Sequence, residues 1–236
     1  MKFAAALLVL ASYVALVAAH GALLYPVPRG GYGTKQYNGR VHAFLGFKDS
    51  KWNMRFPCGG FKPGPVTNMK AGQVINVRFL ASAMSAADIK KQPKLTSKNR
   101  QFKQARHGGG LCEFSLSYDN GKTFHRIGRY TRTCPDSYYE WPVKIPKNVP
   151  SCTTKNRCLF VWTWTANILP QYYMNCADIR LTGVKKGKLP KTGIQIVDFP
   201  GRKTGVTAPG DGEKRYASTG PNRKEVDNNM KGVYAV

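Results

Sequence analysis

The run Cys112-Glu113-Phe114-Ser115-Leu116-Ser117-Tyr118, the tripeptide Asp119-Asn120-Gly121 and the run Thr123-Phe124-His125-Arg126-Ile127-Gly128-Arg129-Tyr130 read together as two strands joined by a hairpin. Apolar and polar residues alternate with a period of two on either side, which is the pattern of a strand with one buried face. Between them, Asp-Asn-Gly supplies residues that accept positive φ in a tight turn. Further period-two runs bounded by Gly, Pro and Asn lie at 73–80, 141–145, 158–165 and 176–183. No stretch carries a long helical period, although residues 81–91 admit a short helix. Short strands at regular spacing in a cysteine-containing chain predict an all-β fold. The expected architecture is a two-sheet antiparallel β-sandwich of the immunoglobulin or fibronectin type III kind, with long loops and disulfides. A closed barrel is the alternative.

Working outward to the start of the chain, Lys2 precedes a nearly unbroken apolar run over 3–16, and Val17, Ala18 and Ala19 are small residues suited to a cleavage site. This is the form of a secretory signal, too short for the roughly 20 residues that span a bilayer. Residues 1–19 are therefore expected to be removed, leaving a protein without a membrane span that is secreted to the extracellular space or cell wall. Residues 20–184 hold the six cysteines and nearly all the aromatic residues, and form one expected domain. Residues 185–236 turn to Lys, Gly, Pro, Thr and Asn and read as a basic, disordered C-terminal tail. In an exported chain, Cys58, Cys112, Cys134, Cys152, Cys158 and Cys176 are expected to form disulfides, and their spacing leaves the pairing open.

Processing after Ala19 makes His20 the first residue. Its α-amine and imidazole can then chelate one metal, which no internal histidine can do. Only three other histidines exist, His42, His107 and His125. His107 opens His107-Gly108-Gly109-Gly110-Leu111-Cys112, where the glycines let the backbone run close to a neighbouring surface and the cysteine pins the strand that follows. Two nitrogens from His20 and one from His107 make a T-shaped set suited to copper. His42 and His125 read as packing or surface residues.

These segments, with Val161-Trp162-Thr163-Trp164 and Tyr172-Tyr173-Met174-Asn175-Cys176-Ala177, resemble the fungal lytic polysaccharide monooxygenases, most nearly the chitin-active auxiliary activity family eleven. The resemblance covers residues 20–184. It implies a single copper ion bound by His20 and His107 in a histidine brace, with Tyr173 on the axial side. It also implies an external electron donor, oxygen or hydrogen peroxide as co-substrate, and oxidative scission of a polysaccharide. Where the family usually carries a glutamate two residues before that tyrosine, this chain has Gln171, which can hydrogen-bond but cannot relay a proton as a carboxylate does. The resemblance pairs Cys58 with Cys176 and Cys112 with Cys134, and leaves Cys152 for Cys158. Trp162 and Trp164 share one side of their strand and are expected in the core.

The formal net charge of +25 predicts attraction to polyanions. Part of it lies in an insertion that ends at the His107 motif: Lys90, Lys91, Lys94, Lys98, Arg100, Lys103 and Arg106. If these side chains meet substrate, an acidic polymer such as a polyuronide stands beside chitin as the expected partner of a monomeric enzyme. The few carboxylates form no evident pair for glycoside hydrolysis. Two further readings are a non-catalytic histidine-brace copper carrier and a metal-free polysaccharide-binding surface protein. No nucleic-acid recognition motif is present, so nucleic acid is not an expected partner.

Overall fold

A computed structural model describes residues 20–46, 54–82, 84–90, 110–130, 134–135, 140–166 and 171–196. The strands are β1 (Gly21–Tyr25), β2 (Leu45–Gly46), β3 (Met54–Arg55), β4 (Val66–Lys70), β5 (Val74–Ala81), β6 (Gly110–Ser117), β7 (His125–Tyr130), β8 (Trp141–Lys144), β9 (Leu159–Ala166) and β10 (Tyr172–Thr182). One short helix, α1 (Ala86–Lys90), falls where the sequence admits it. A three-stranded sheet in the order β1-β5-β8 faces a five-stranded sheet in the order β4-β10-β9-β6-β7, while β2 and β3 pair separately. The architecture is the expected sandwich.

Two details depart from the expectation. The pairs β4–β10 and β2–β3 are parallel. Strands joined by a hairpin are forced antiparallel, whereas β4 and β10 are far apart in the chain and no tight connection sets their direction. The expected tight turn is a loop between Ser117 and His125, built around the Asp119 carboxylate. That carboxylate accepts hydrogen bonds from the Lys122 and Thr123 amides at 3.1 and 2.9 Å and from the Ser117 and Thr123 hydroxyls at 2.9 and 2.7 Å. Asn120 and Gly121 do take positive φ, 61° and 83°.

The even-numbered residues of β9, Phe160, Trp162 and Trp164, point into the core between the sheets with Phe79, Phe114, Tyr130, Trp141 and Tyr173. Its odd-numbered residues Leu159 and Val161 join Tyr172, Met174 and Cys176 of β10 in a second cluster on the outer face. Burial on both faces is why β9 reads as an almost continuous apolar run. Disulfides Cys58–Cys176, Cys112–Cys134 and Cys152–Cys158 fasten the loops to the strands.

Residues 185–196 run along the large sheet as a strap, with Leu189 packed against the core between the sheets and Ile194 against the outer cluster. Arg126 N–H donates to the Thr192 carbonyl at 2.8 Å, His125 Nδ1–H to the Pro190 carbonyl at 2.8 Å and the Tyr172 hydroxyl to the Gln195 carbonyl at 2.8 Å. The Gln195 amide donates to Glu113, a buried β6 carboxylate that also meets Arg126 at 2.7 Å and Arg129 at 3.2 Å. The rest of the expected tail, 197–236, lies outside the described residues.

Removing one partner of a buried charge network leaves the others unsatisfied. Glu113→Gln is expected to lower unfolding stability by about 2 kcal/mol, and truncation after Leu189 by a similar amount, in urea titrations. Midpoints equal to that of the intact chain would show that the strap is not part of the folded unit.

Candidate functional site

His20 stands at the head of β1. Its carbonyl accepts a hydrogen bond from Ser82 N–H at 2.8 Å, which continues the ladder that pairs Gly21 with Ala81. Across the sandwich, Asn175 lies on the inward face of β10 and is 4 % exposed. Its Oδ1 accepts from Leu23 N–H at 2.7 Å and its Nδ2 donates to the Val41 carbonyl at 3.1 Å. One amide side chain thereby fixes the strand carrying His20 against the strand carrying Tyr173.

The His20 ring lies edge-on to Tyr173, with centroids 6.1 Å apart and planes at 67°. Tyr173 stacks on Trp164 at 4.5 Å, Trp164 on Trp162 at 6.3 Å, and Trp162 rests tilted on Phe79 at 4.9 Å. Both tryptophans are fully buried, as expected of core residues. The Tyr173 hydroxyl donates to Gln171 Oε1 at 2.5 Å. Burial pushes the phenol of Tyr173 well above its ordinary pKa, so it stays protonated at neutral pH and presents an apolar ring to His20.

Of the other site residues, His107 lies outside the described residues, as do Lys91, Lys94, Lys98, Arg100, Lys103 and Arg106. Lys90 is exposed at the end of α1. The glycine segment is described from Gly110, where the chain runs against β9. A Cβ there would sit 2.1 Å from the Thr165 carbonyl oxygen and 2.9 Å from Trp164 Nε1, at a φ of 148°. Only glycine allows that approach.

Among the described residues no group of three or more His, Cys, Asp or Glu side chains could hold a metal, and every cysteine is in a disulfide. His20 itself presents an imidazole, a donor that suits copper, and the disulfides leave no described thiolate beside it. Four described carboxylates are engaged elsewhere. Asp178 takes Arg29 through two oxygens at 2.6 and 2.9 Å, Glu113 holds the strap, Asp119 its loop, and Glu140 accepts from Asn76 at 3.2 Å.

His42 is a site neighbour whose environment the sequence did not reveal. It is buried in the 3-10 turn Gly39–His42, with Nε2 3.4 Å from the Tyr37 hydroxyl. Burial first, and the charge of His20 second, push its pKa down to about 4 against an opposing bond to the Leu80 backbone. His42 is thus a neutral packing residue, as expected, but one that lies within electrostatic range of the head of β1. His125 is committed to the strap. Asn175 could have been found as the polar residue at an inward position of an otherwise apolar strand.

No protein-family model matches the chain. Over 134 residues it is 34% identical to the AA11 family lytic polysaccharide monooxygenase A of Aspergillus fumigatus, an alignment covering 54% of this chain and 48% of the relative. The chain thus spans about half the length of that curated relative. Among solved structures it is similar to the extended catalytic domain of H. jecorina LPMO9A, at 14% identity over 65% of this chain and 71% of the other, with a TM-score of 0.31, a superposition too loose to carry argument. The resemblance to auxiliary activity family eleven carried by the sequence motifs agrees with the first of these relatives.

In the unfolded chain His42 titrates near its ordinary 6.5, and in the folded one near 4. Between those values the unfolded chain binds more proton, so stability falls as pH falls, by about 3 kcal/mol in total. Urea midpoints of metal-free protein at pH 7 and pH 4.5 should drop less for His42→Gln than for the parent. Equal drops would contradict the buried neutral imidazole.

Proposed function

We propose that the chain, processed after Ala19, is a secreted copper-dependent monooxygenase that oxidatively cleaves a cell-wall polysaccharide, chitin or an acidic glycan. The observation that carries this reading is the packing of the His20 imidazole edge-on against the buried Tyr173 ring, in a chain whose 34% identical relative is a lytic polysaccharide monooxygenase.

His20 would hold copper through amine and ring nitrogen, and His107 through a ring nitrogen. Copper bound there would supply one-electron chemistry which, with an external reductant and oxygen or hydrogen peroxide, oxidises a glycosidic carbon.

The chain's own residues do the rest. The Ser82 bond fixes the His20 carbonyl, so the amine and the ring depart from a backbone that cannot swing. Orientation secured before binding is the main contribution a protein makes to such a ligand set. Tyr173 fills the space beside the imidazole with a ring, and its hydroxyl is turned to Gln171, which closes that side to water without adding an anionic ligand. Gln171 accepts a hydrogen bond from the phenol and carries no charge, so this side chain cannot relay a proton as a carboxylate does. Lys90 and the basic residues that follow it would add positive charge near the rim.

Soluble products from chitin, cellulose and a polyuronide, each incubated with copper and ascorbate, should contain oxidised oligosaccharides from at least one polymer by mass spectrometry. His107→Ala should abolish that release and weaken copper binding about a thousandfold, with an unchanged melting curve for the metal-free protein. Wild-type copper affinity in that variant would remove His107 from the site. Copper binding without product from any polymer would favour the carrier reading.

A further inference from the structure

We infer that the end of the sandwich opposite His20 is a second binding surface, a cluster of exposed lysines that anchors the chain on an acidic polysaccharide. The inference rests on the proposed function only for the class of polymer.

The strands show which end this is. β1 and β5 pair Gly21 with Ala81 beside His20, and β5 begins at the other end with Val74 opposite Lys144. β10 likewise starts at Tyr172 and Tyr173 and closes with Thr182 opposite Lys70 of β4. A strand rises by roughly 30 Å from Tyr173 to Thr182, so a group bound at this end is remote from His20.

Three segments of the chain meet there. In the turn that follows β4, Gln73 N–H donates to the Lys70 carbonyl at 3.1 Å, while the Ala71 and Gly72 amides donate to the Thr182 and Ile145 carbonyls at 2.8 and 3.0 Å. The stretch after β8 receives the start of the strap: Val184 N–H donates to the Val149 carbonyl at 2.9 Å and Lys188 N–H to the Asn148 carbonyl at 2.7 Å. Glycine makes that approach possible, because a Cβ on Gly183 would overlap the Val149 carbonyl oxygen and one on Gly187 the Pro150 nitrogen. A Cβ on Gly72 would lie 3.3 Å from Lys147 Cγ, so the stem of Lys147 rests over the turn. Lys70, Lys147, Lys185, Lys186 and Lys188 are thereby collected at one end of the molecule, all of them exposed. Among the described residues none of the five pairs with a carboxylate. The neighbouring loop, whose Tyr118 hydroxyl donates to the Pro150 carbonyl at 2.6 Å, carries Asp119, but that carboxylate is held by donors of its own loop.

Five ammonium groups spread over three segments suit a partner whose negative charges repeat along its length. Each lysine is a point charge on a flexible stem and makes no demand on the geometry of any one anion. The large apolar side chains exposed next to these lysines are Val74 and Val184. Neither offers the flat ring on which nucleic-acid bases stack, nor the bulky side chain that enters a lipid headgroup layer. A carboxylated polysaccharide needs neither. An anchor at this end leaves the His20 end turned away from the polymer that holds the chain and open to a neighbouring one.

The test titrates the full processed chain, its copper removed by chelation, with polygalacturonate in a calorimeter. Binding should weaken as salt rises. Lys147→Gln with Lys185→Gln and Lys186→Gln should weaken it by about tenfold, three exposed ion pairs being lost. Lys35→Gln with Arg55→Gln and Lys62→Gln removes the same charge from exposed positions elsewhere and should weaken it by no more than roughly twofold. Equal losses in the two triple variants would overturn the anchor, since net charge alone would then account for binding. Tighter binding of a DNA duplex or of phosphatidylserine vesicles at the same salt would overturn the choice of polymer. The expected pattern in a chain that releases no oxidised product would uphold the anchor and overturn the oxidative reading alone.

Discussion

The side-chain amide of Asn175 is the constraint on which the geometry around His20 depends. Apolar contacts between two sheets resist separation but carry little directional information. A hydrogen bond does carry it. Asn175 accepts from Leu23 N–H in one sheet while its amide hydrogens go to the carbonyls of Val41 and its own neighbour Met174. Leu23 is three residues from His20, and Asn175 two from Tyr173. The buried amide therefore sets the axial register between an imidazole and the ring packed against it, and draws the turn that bears His42 to the same place. The stacked series Tyr173, Trp164, Trp162 and Phe79 then backs the site with side chains that have no room to move.

The charge of the molecule is organised around this frame. The described carboxylates of the domain face inward or into loops: Asp178 binds Arg29, Glu113 ties Arg126 and Arg129 to the strap, and Asp119 organises its turn. The described lysines keep the exterior, while Arg29 is buried with Asp178. The basic run leading toward His107 belongs to the same imbalance.

How much of this was legible in the sequence follows from how each feature is encoded. The runs that became β5 to β10 are apolar and bounded by Gly, Pro or Asn, whether buried on one face or, as in β9, on both, so each was visible to within a few residues. β4 was not, since it is an edge strand with Met69 as its one buried residue. β1 was missed because five residues of mostly small or apolar type carry no clear period. Docking of the strap depends on Glu113, a carboxylate some 80 positions away in the chain, and no local pattern announces such a contact. The two tryptophans were readable because their spacing places them on one face, whereas Tyr173 stood out only through the resemblance.

The central claim is that His20 grips copper through its own amine as well as its ring, held in place by strand β1. The most direct measurement is the copper dissociation constant of two purified chains, one beginning at His20 and one retaining Ala19 ahead of it. Converting the amine to an amide should weaken binding by about a thousandfold or more, with the fold unchanged. Equal affinities for the two chains would contradict the account.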